Sequence, residues 1–321
     1  MLRFDHLVHA VHGTPEEAAK QMQELGFHTA LGGEHTVWGT WNSFSYFDLS
    51  YIEFLAVQHE EKAIEAENPL VQETVVKLQG GEGMLQIAIR TDAIEELADK
   101  FSKYGLQTIG PFEGKRMRKD GRLLEWKMLF VKQEENGPKL PFFIQWNETD
   151  EERRKDLRNI GTITEHKNKV QQIETVHYAV KNVRETVQKW KEVMELTASS
   201  VVKNEEWNAE CQSVSFGDIQ VQFCEPIGKG LVLQYLKNHG EYPFAVEFRG
   251  EDKGVSNEVL GEFLVHILIE VNALEEMLRE IERKLEWPRI VKCTAISKGF
   301  SPDEKYKIKL EISVTYFVKD I

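Results

Sequence analysis

The sequence contains little cysteine and no long apolar run. Its three cysteines, Cys211, Cys224 and Cys293, are far apart and form no Cys-x-x-Cys pair. They offer neither the disulfide framework of a small secreted domain nor a thiolate zinc site, so we expect buried free thiols in a reducing compartment. No apolar stretch reaches the roughly 18 residues that a membrane-spanning helix needs, and no membrane partner is expected.

A basic excess is also missing. Asp and Glu number 53 against 40 Lys and Arg, which gives a formal net charge of -13, the opposite of what a general nucleic-acid-binding protein shows. The first residues, MLRFDHLVHAV, run into a charged strand pattern that is not typical of a signal peptide. With 321 residues and 41% hydrophobic content, the composition indicates a globular, cytoplasmic protein of two or three domains that handles small molecules.

A strand–helix–strands pattern occurs twice in the first 150 residues. In the first copy, Thr14 and Glu17 form a predicted capping box at the start of a helix. In the second copy, Asp92 is the predicted helix cap and Asp120-Gly121 a predicted hairpin turn. The pattern predicts two βαβββ units that pack together, because one such unit cannot cover its own sheet.

The whole chain is therefore predicted to have an α+β fold in five segments. These are a paired βαβββ domain at 1–150, a charged connector at 151–169, a degenerate third βαβββ unit at 170–250 that a strand at 242–250 closes, a linker at 251–260, and a βαββ module of unknown role at 261–321.

Residues 32–57 join a polar, glycine-rich turn to an apolar strand that contains a carboxylate. A buried, unpaired Glu53 would be costly unless a cation or hydrogen-bond donors face it. Glu53 either belongs to a site or is a satisfied acid that lines a cleft. Likewise His35, Thr40 and Asn42 either bind a ligand's oxygens or stabilise the turn, and Trp38 could form an apolar wall for the ligand.

A dense basic patch surrounds the predicted hairpin turn. Strand alternation puts Arg116 and Arg118 on one face. One of them could reach the site as a clamp for a carboxylate or phosphate, with Arg118 favoured because it adjoins the turn. The alternative is a solvated edge that discourages strand pairing.

The segments FDHLVHAV, GGEHTVWGTWN, YIEFLAV and LPFFIQW resemble the vicinal oxygen chelate superfamily, and within it an uncharacterised glyoxalase-like branch. The resemblance covers about residues 1–250 and implies that the first two units curl into a cup-shaped sheet. It also implies one metal ligand from the first and last strand of each unit, at His6, Glu53, Gln86 and Gln145. Such nitrogen and oxygen donors suit one divalent ion such as Zn, Ni, Mn or Fe.

The resemblance implies that the cup binds a small oxygen-rich or aromatic metabolite. Metal-assisted lyase, isomerase or dioxygenase-type chemistry is the class to test, with Glu53 and His35 as catalytic candidates. Two amides among four ligands leave the set incomplete for glyoxalase-type isomerisation, which needs a carboxylate base. The alternative is a non-catalytic binding protein of the same fold that sequesters its ligand.

The third unit is expected to be structural, because Thr175 and Gln222 stand where His6 and Glu53 stand in the first. A further hypothesis is that the C-terminal tail drives assembly into a homo-oligomer.

Overall fold

The computed structural model describes residues 1–118, 120–132 and 139–250, and the backbone of two further strands at 256–260 and 263–267. The helices are α1 (Pro15–Glu24), α2 (Glu60–Glu65), α3 (Pro69–Gly80), α4 (Ile94–Lys103), α5 (Asp150–Asn159), α6 (Val183–Met194) and α7 (Leu231–His239). The strands are β1 (Arg3–Val11), β2 (Ala30–His35), β3 (Thr40–Phe47), β4 (Ser50–Val57), β5 (Gly83–Arg90), β6 (Thr108–Met117), β7 (Leu123–Val131), β8 (Phe142–Trp146), β9 (Val170–Ala179), β10 (Val202–Asn204), β11 (Ala209–Phe216), β12 (Ile219–Pro226), β13 (Pro243–Gly250), β14 (Ser256–Leu260) and β15 (Phe263–Ile267). Among these residues, no helix combines the length and the apolar character needed to cross a membrane.

Local sequence signals fix the start of α1 but not the start of α4. The capping box of α1 is confirmed, since the Thr14 hydroxyl accepts the Glu17 N–H and the Glu17 carboxylate accepts the Thr14 N–H at 2.9 Å. For α4 the predicted Asp92 cap is wrong, because Asp92 pairs with Arg3 instead. The first N–H of α4 is taken by Gln145 of β8, whose Oε1 lies 2.8 Å away. That cap comes from a distant strand, so it is set by the tertiary fold.

The first eight strands form one curled sheet in the order β2-β3-β4-β1-β5-β8-β7-β6. Strand β1 runs parallel to β4 and antiparallel to β5, and β5 runs parallel to β8. Two βαβββ units therefore meet at β1 and β5, and the predicted α+β fold with paired units is confirmed. The predicted hairpin is also present, since β6 and β7 pair antiparallel on either side of Gly121.

The second sheet repeats this plan in the order β10-β11-β12-β9-β13-β15-β14. Strand β13 lies antiparallel to β9 and parallel to β15, as β5 does to β1 and β8. The strand at 242–250 thus holds the place of a unit's first strand, although it was predicted to close the third unit. Strand β14 falls within the predicted linker, and the predicted module at 261–321 lies outside the described residues apart from β15.

One apolar core lies between the two sheets and their helices. It includes Leu7 of β1, Phe101 of α4 and Trp190 of α6. Phe27 contacts Phe248 of β13 with ring centroids 5.2 Å apart. Because this core covers one face of the first sheet, the opposite, inner face is available for a site.

Two of the cysteines form a disulfide. Cys211 of β11 lies directly opposite Cys224 of β12, and their sulfurs are bonded. The prediction of free thiols is wrong for this pair, because the antiparallel register brings the two side chains together. Cys293 lies outside the described residues.

Burial of His166 predicts acid sensitivity. Its ring packs on Phe47 with centroids 4.6 Å apart, and its Nδ1 accepts the His28 N–H at 2.8 Å. Burial, with His28 nearby, lowers the pKa of His166 from 6.5 to about 4. The unfolded chain therefore takes up this proton first as the pH falls.

We expect the free energy of unfolding to be highest above pH 6.5 and to decrease toward pH 4. One such histidine contributes at most about 1.4 kcal/mol per pH unit. Urea denaturation of the wild type and of His166→Gln at several pH values measures this. The variant should lose less stability between pH 6.5 and pH 4.5, and an equal loss in both proteins would contradict the assignment.

Candidate functional site

A cavity of about 50 Å³ opens on the inner face of the first sheet, beside α3. Both units contribute to it, and its walls are largely aromatic and aliphatic. The side chains that line it are His6, His35, Trp38, Thr40, Asn42, Phe44, Tyr51, Glu53, Leu55, Asn68, Leu70, Val71, Arg116, Trp126, Met128, Phe142, Ile144 and Trp146.

His6 and Glu53 meet in this cavity. His6 Nε2 lies 3.5 Å from Glu53 Oε2, and the imidazole stacks on Tyr51 at a centroid distance of 4.5 Å. Both side chains are buried, with His6 only 3% and Glu53 7% exposed. An imidazole and a carboxylate therefore lie side by side in the cavity wall, shielded from bulk water, an arrangement that suits proton transfer to or from a bound ligand.

Asp5 orients His6 from behind. Adjacent side chains in a regular strand point to opposite faces, but the register of β1 against β5 shifts between Phe4 and His6. At this irregularity Asp5 Oδ1 comes to 2.7 Å from His6 Nδ1. Since the carboxylate accepts the Nδ1–H, the other ring nitrogen faces Glu53 and the cavity.

Asp5 itself is completely buried and well supplied with donors. Its Oδ2 accepts from Arg90 at 3.0 Å and from the Trp146 indole at 3.1 Å. Burial alone would raise the pKa of Asp5. The hydrogen bond from His6, followed by the charges of Arg153 and Arg90, outweighs burial and holds this pKa well below its usual range.

Asn42 links Glu53 to a guanidinium. Its amide donates to Glu53 Oε1 at 2.6 Å, and its carbonyl oxygen accepts from Arg116 Nη1 at 2.9 Å. A Cβ added at Gly32 would overlap both the Asn42 oxygen and the Arg116 guanidinium. The glycine of the GGEHTVWGTWN segment thus lets a buried cation approach the strand that carries Asn42.

The structure distinguishes the two candidate arginines. Arg116 is buried, and this burial lowers its pKa. Arg118 does not line the first cavity, because its guanidinium pairs with Asp120 at 2.6 Å and with Asp156 at 2.5 Å. The preference for Arg118 is corrected to Arg116, since α5 supplies a carboxylate for Arg118 outside the cavity.

His35, Thr40 and Trp38 form the wall on the side of β2 and β3. His35 Nδ1 lies 3.0 Å from the Thr40 hydroxyl, and its ring contacts Trp38 and Trp126. Burial, together with the charge of Arg116, lowers the pKa of His35 to about 3. His35 is therefore a neutral imidazole near pH 7 and can offer a hydrogen bond but no positive charge.

Gln86 and Gln145 do not join His6 and Glu53. In β8 the side chains of Phe142, Ile144 and Trp146 line the cavity, and Gln145 points to the other face, where it caps α4. In β5 it is Ala88 that lies opposite His6, while Gln86 donates to Glu73 at 3.1 Å. The second unit thus presents carbon atoms where the resemblance implied metal ligands.

The residues present do not fit a divalent ion. The cavity wall carries two imidazoles, those of His6 and His35, and one carboxylate, but His35 Nδ1 is engaged by the Thr40 hydroxyl. Asn42 turns its amide N–H toward Glu53 and its oxygen toward Arg116. A transition metal in a protein generally takes at least three protein ligands. Among the described residues, no group of three or more His, Cys, Asp or Glu side chains could hold one.

Sequence reasoning missed two charged residues of the site. Asp5 was overlooked because strand alternation places it away from His6, although a carboxylate in an apolar strand was the same signal that drew attention to Glu53. Arg153 lies in the segment expected to be a connector, and it is 3% exposed. No local pattern marks it, since its helix α5 is charged on all sides.

The second sheet places other polar residues at the corresponding positions. Thr175 stands at the position of His6, and Gln222 Oε1 accepts a hydrogen bond at 3.1 Å from Nδ1 of His177, which lies beside it on β9. His177 also comes within 3.7 Å of Glu247. The His6–Glu53 pair of the first sheet is therefore not reproduced in the described part of the second.

Comparison with known proteins gives the family and the fold. A family model described as a glyoxalase-like domain matches residues 4–194. A hypothetical protein from Staphylococcus aureus is 22% identical, with a TM-score of 0.67 over 83% of this chain and 98% of that chain. A mutant of 4-hydroxymandelate synthase from Streptomyces coelicolor is 10% identical, with a TM-score of 0.51 over 81% of this chain and 73% of that chain.

No curated protein matches the sequence at a significant level. The family match spans more than half of the chain, and the two similar structures share its fold. The chain thus belongs to the glyoxalase-like domain family.

Proposed function

We propose that the protein binds a small oxygen-rich or aromatic metabolite in the cavity of the first sheet, without a metal ion. The observation that carries this proposal is a continuous polar row, Arg116–Asn42–Glu53–His6, along one wall of a cavity whose other walls are aromatic. Aromatic walls with a few converging polar groups are typical of small-molecule sites. The small volume favours a ligand of few atoms.

The polar row can recognise oxygen atoms. Arg116 supplies positive charge in a site where burial has removed most of the water, and hydrogen bonds to a charged group are strong there. Trp38 and Trp126 contact each other at 6.3 Å and form a wall for a planar or apolar ligand body. Affinity would therefore come from the tryptophans and orientation from the polar row.

Replacing Trp38 should weaken ligand binding. Trp38→Ala removes an aromatic wall, and loss of such a contact lowers affinity by about 10-fold or more. The measurement is tryptophan fluorescence titration or calorimetry with a library of small aromatic and oxygen-rich acids, alcohols and amides. Trp41→Ala is the matched control, because Trp41 packs against the core between the sheets. Ligands that bind equally to both variants would place the site elsewhere.

Metal analysis tests the donor set directly. Protein purified without chelators should contain far less than one equivalent of Zn, Ni, Mn or Fe, because the described residues bring together no group of three ligands for such an ion. Mass spectrometry of the metals, with Glu53→Gln as the comparison, measures this. One equivalent of a transition metal in the wild type that is lost in Glu53→Gln would overturn the metal-free proposal.

A second candidate function is metal-independent proton transfer, as in an isomerase or lyase. The specific observation is the series Asp5–His6–Glu53, in which a buried carboxylate orients an imidazole toward a second acid. Glu53 could remove a proton next to a ligand carbonyl, and Arg116 could stabilise the charge that forms on the carbonyl oxygen. Asn42 fixes the orientation of Glu53 through its amide.

Hydrogen exchange into a bound ligand tests this chemistry. In D₂O, ligands from the library that carry an acidic C–H should gain deuterium with the wild type, as followed by proton NMR. Glu53→Gln should slow the exchange by about 100-fold or more, whereas Asp48→Asn should not, because Asp48 pairs with Arg154 away from the cavity. If the wild type binds a ligand but exchanges none of its hydrogen, proton transfer is ruled out and only the binding function remains.

A further inference from the structure

A second cavity of about 60 Å³ lies next to the first and is covered by α5. Leu157 of α5 packs against the aromatic cluster of Phe44 and Tyr51 that forms its floor. The two cavities share Phe44, Tyr51, Arg116 and Trp146 as lining residues. One layer of side chains therefore belongs to both cavities, and Arg116 is the charged member of that layer.

Arg116 enters the second cavity with unused donors. Its Nη1 is bonded to Asn42, but its Nε is buried without a hydrogen-bond partner. Within the described part of the chain it makes no ion pair, whereas Arg118 and Arg122 both pair with Asp156. Burial lowers the pKa of Arg116 because charge is poorly solvated there.

Arg153 of α5 lines the second cavity as well. Its guanidinium lies over the Trp146 ring at 4.0 Å, and its Nη1 is buried without a hydrogen-bond partner. Asp5 Oδ2 is 3.6 Å from that nitrogen, too far for a hydrogen bond, and already accepts from Arg90 and Trp146. Arg153 is thus a second buried cation with an unsatisfied N–H group.

The carboxylates that line the same cavity are already paired. Asp156 binds Arg118, and Glu148 binds Arg122. Buried donors without acceptors are rare in folded proteins, and a bound ligand is one way in which they are satisfied. Two guanidinium groups in one small cavity match the oxygens of a planar anion.

We propose that the second cavity binds a carboxylate group between Arg116 and Arg153, so that the ligand of this protein is a small carboxylic acid. The inference deepens the proposed function and rests on it for the position of the ligand body, which would lie in the first cavity. Tyr51 and Trp146, two residues of the shared layer, would then contact the atoms that join the carboxylate group to the ligand body.

Formate is the first probe, because it is the smallest carboxylate and fits the cavity, and formamide is its neutral counterpart. At equal ionic strength, sodium formate should raise the melting temperature of the wild-type chain above that in sodium chloride by about 2–4 °C. Formamide should produce no such rise. Benzoate should likewise bind about 10-fold more tightly than benzamide.

Five variants locate the effect. The formate-specific rise should disappear in Arg153→Gln and in Arg116→Gln, and Arg153→Lys should keep part of it if the glutamine variant folds poorly. It should persist in Arg154→Gln, the control on the same helix, whose guanidinium pairs with Asp48. It should also persist in Trp38→Ala, which alters the first cavity alone.

Equal melting temperatures of the wild type in formate and chloride, or a rise that survives in both Arg153→Gln and Arg116→Gln, would overturn the carboxylate site. Failure of the proposed function would be seen in a different measurement. If the first cavity does not hold the ligand body, neutral ligands should bind Trp38→Ala as tightly as they bind the wild type. The two results can therefore be read separately.

Discussion

The site depends on the buried carboxylate of Asp5. An isolated charge without water is very costly, and here it is stabilised by His6, by Arg90 and by the Trp146 indole. These partners come from β1, β5 and β8, so the same interaction that satisfies Asp5 fixes the two units of the sheet against each other. It also sets the direction of the His6 ring, and with it the relation of His6 to Glu53.

Strand alternation decides which side chains line the cavity. The first unit turns His6, Asn42 and Glu53 inward, while the last strand of the second unit turns its phenylalanine, isoleucine and tryptophan inward and its glutamine outward. Each of the two βαβββ units could in principle provide metal ligands. In this protein, however, the polar groups that face the cavity come mainly from the first unit. The result is a largely aromatic cavity whose polar groups include one carboxylate, two imidazoles and one guanidinium.

The two sheets share a strand order but differ in their polar residues. Strands β9, β12 and β13 repeat the arrangement of β1, β4 and β5, yet Thr175 and Gln222 replace the His6–Glu53 pair, and a disulfide joins β11 to β12. The helices of both sheets share one apolar core. The second sheet thus supports the first while its own inner face carries different chemistry.

The sequence by itself determined the paired βαβββ units and the capping box at Thr14, and it singled out His6, Asn42 and Glu53 as candidates, which the structure places in one cavity. It did so because helix caps, two-residue strand periodicity and a carboxylate in an apolar strand are local signals. Only the tertiary structure decided that Asp5 supports His6, that Gln145 caps a helix, that Cys211 bonds Cys224 and that Arg153 lies beside the site. Each of these depends on a strand register, an irregularity in β1 or the packing of α5, which bring together residues far apart in the chain and leave no local pattern.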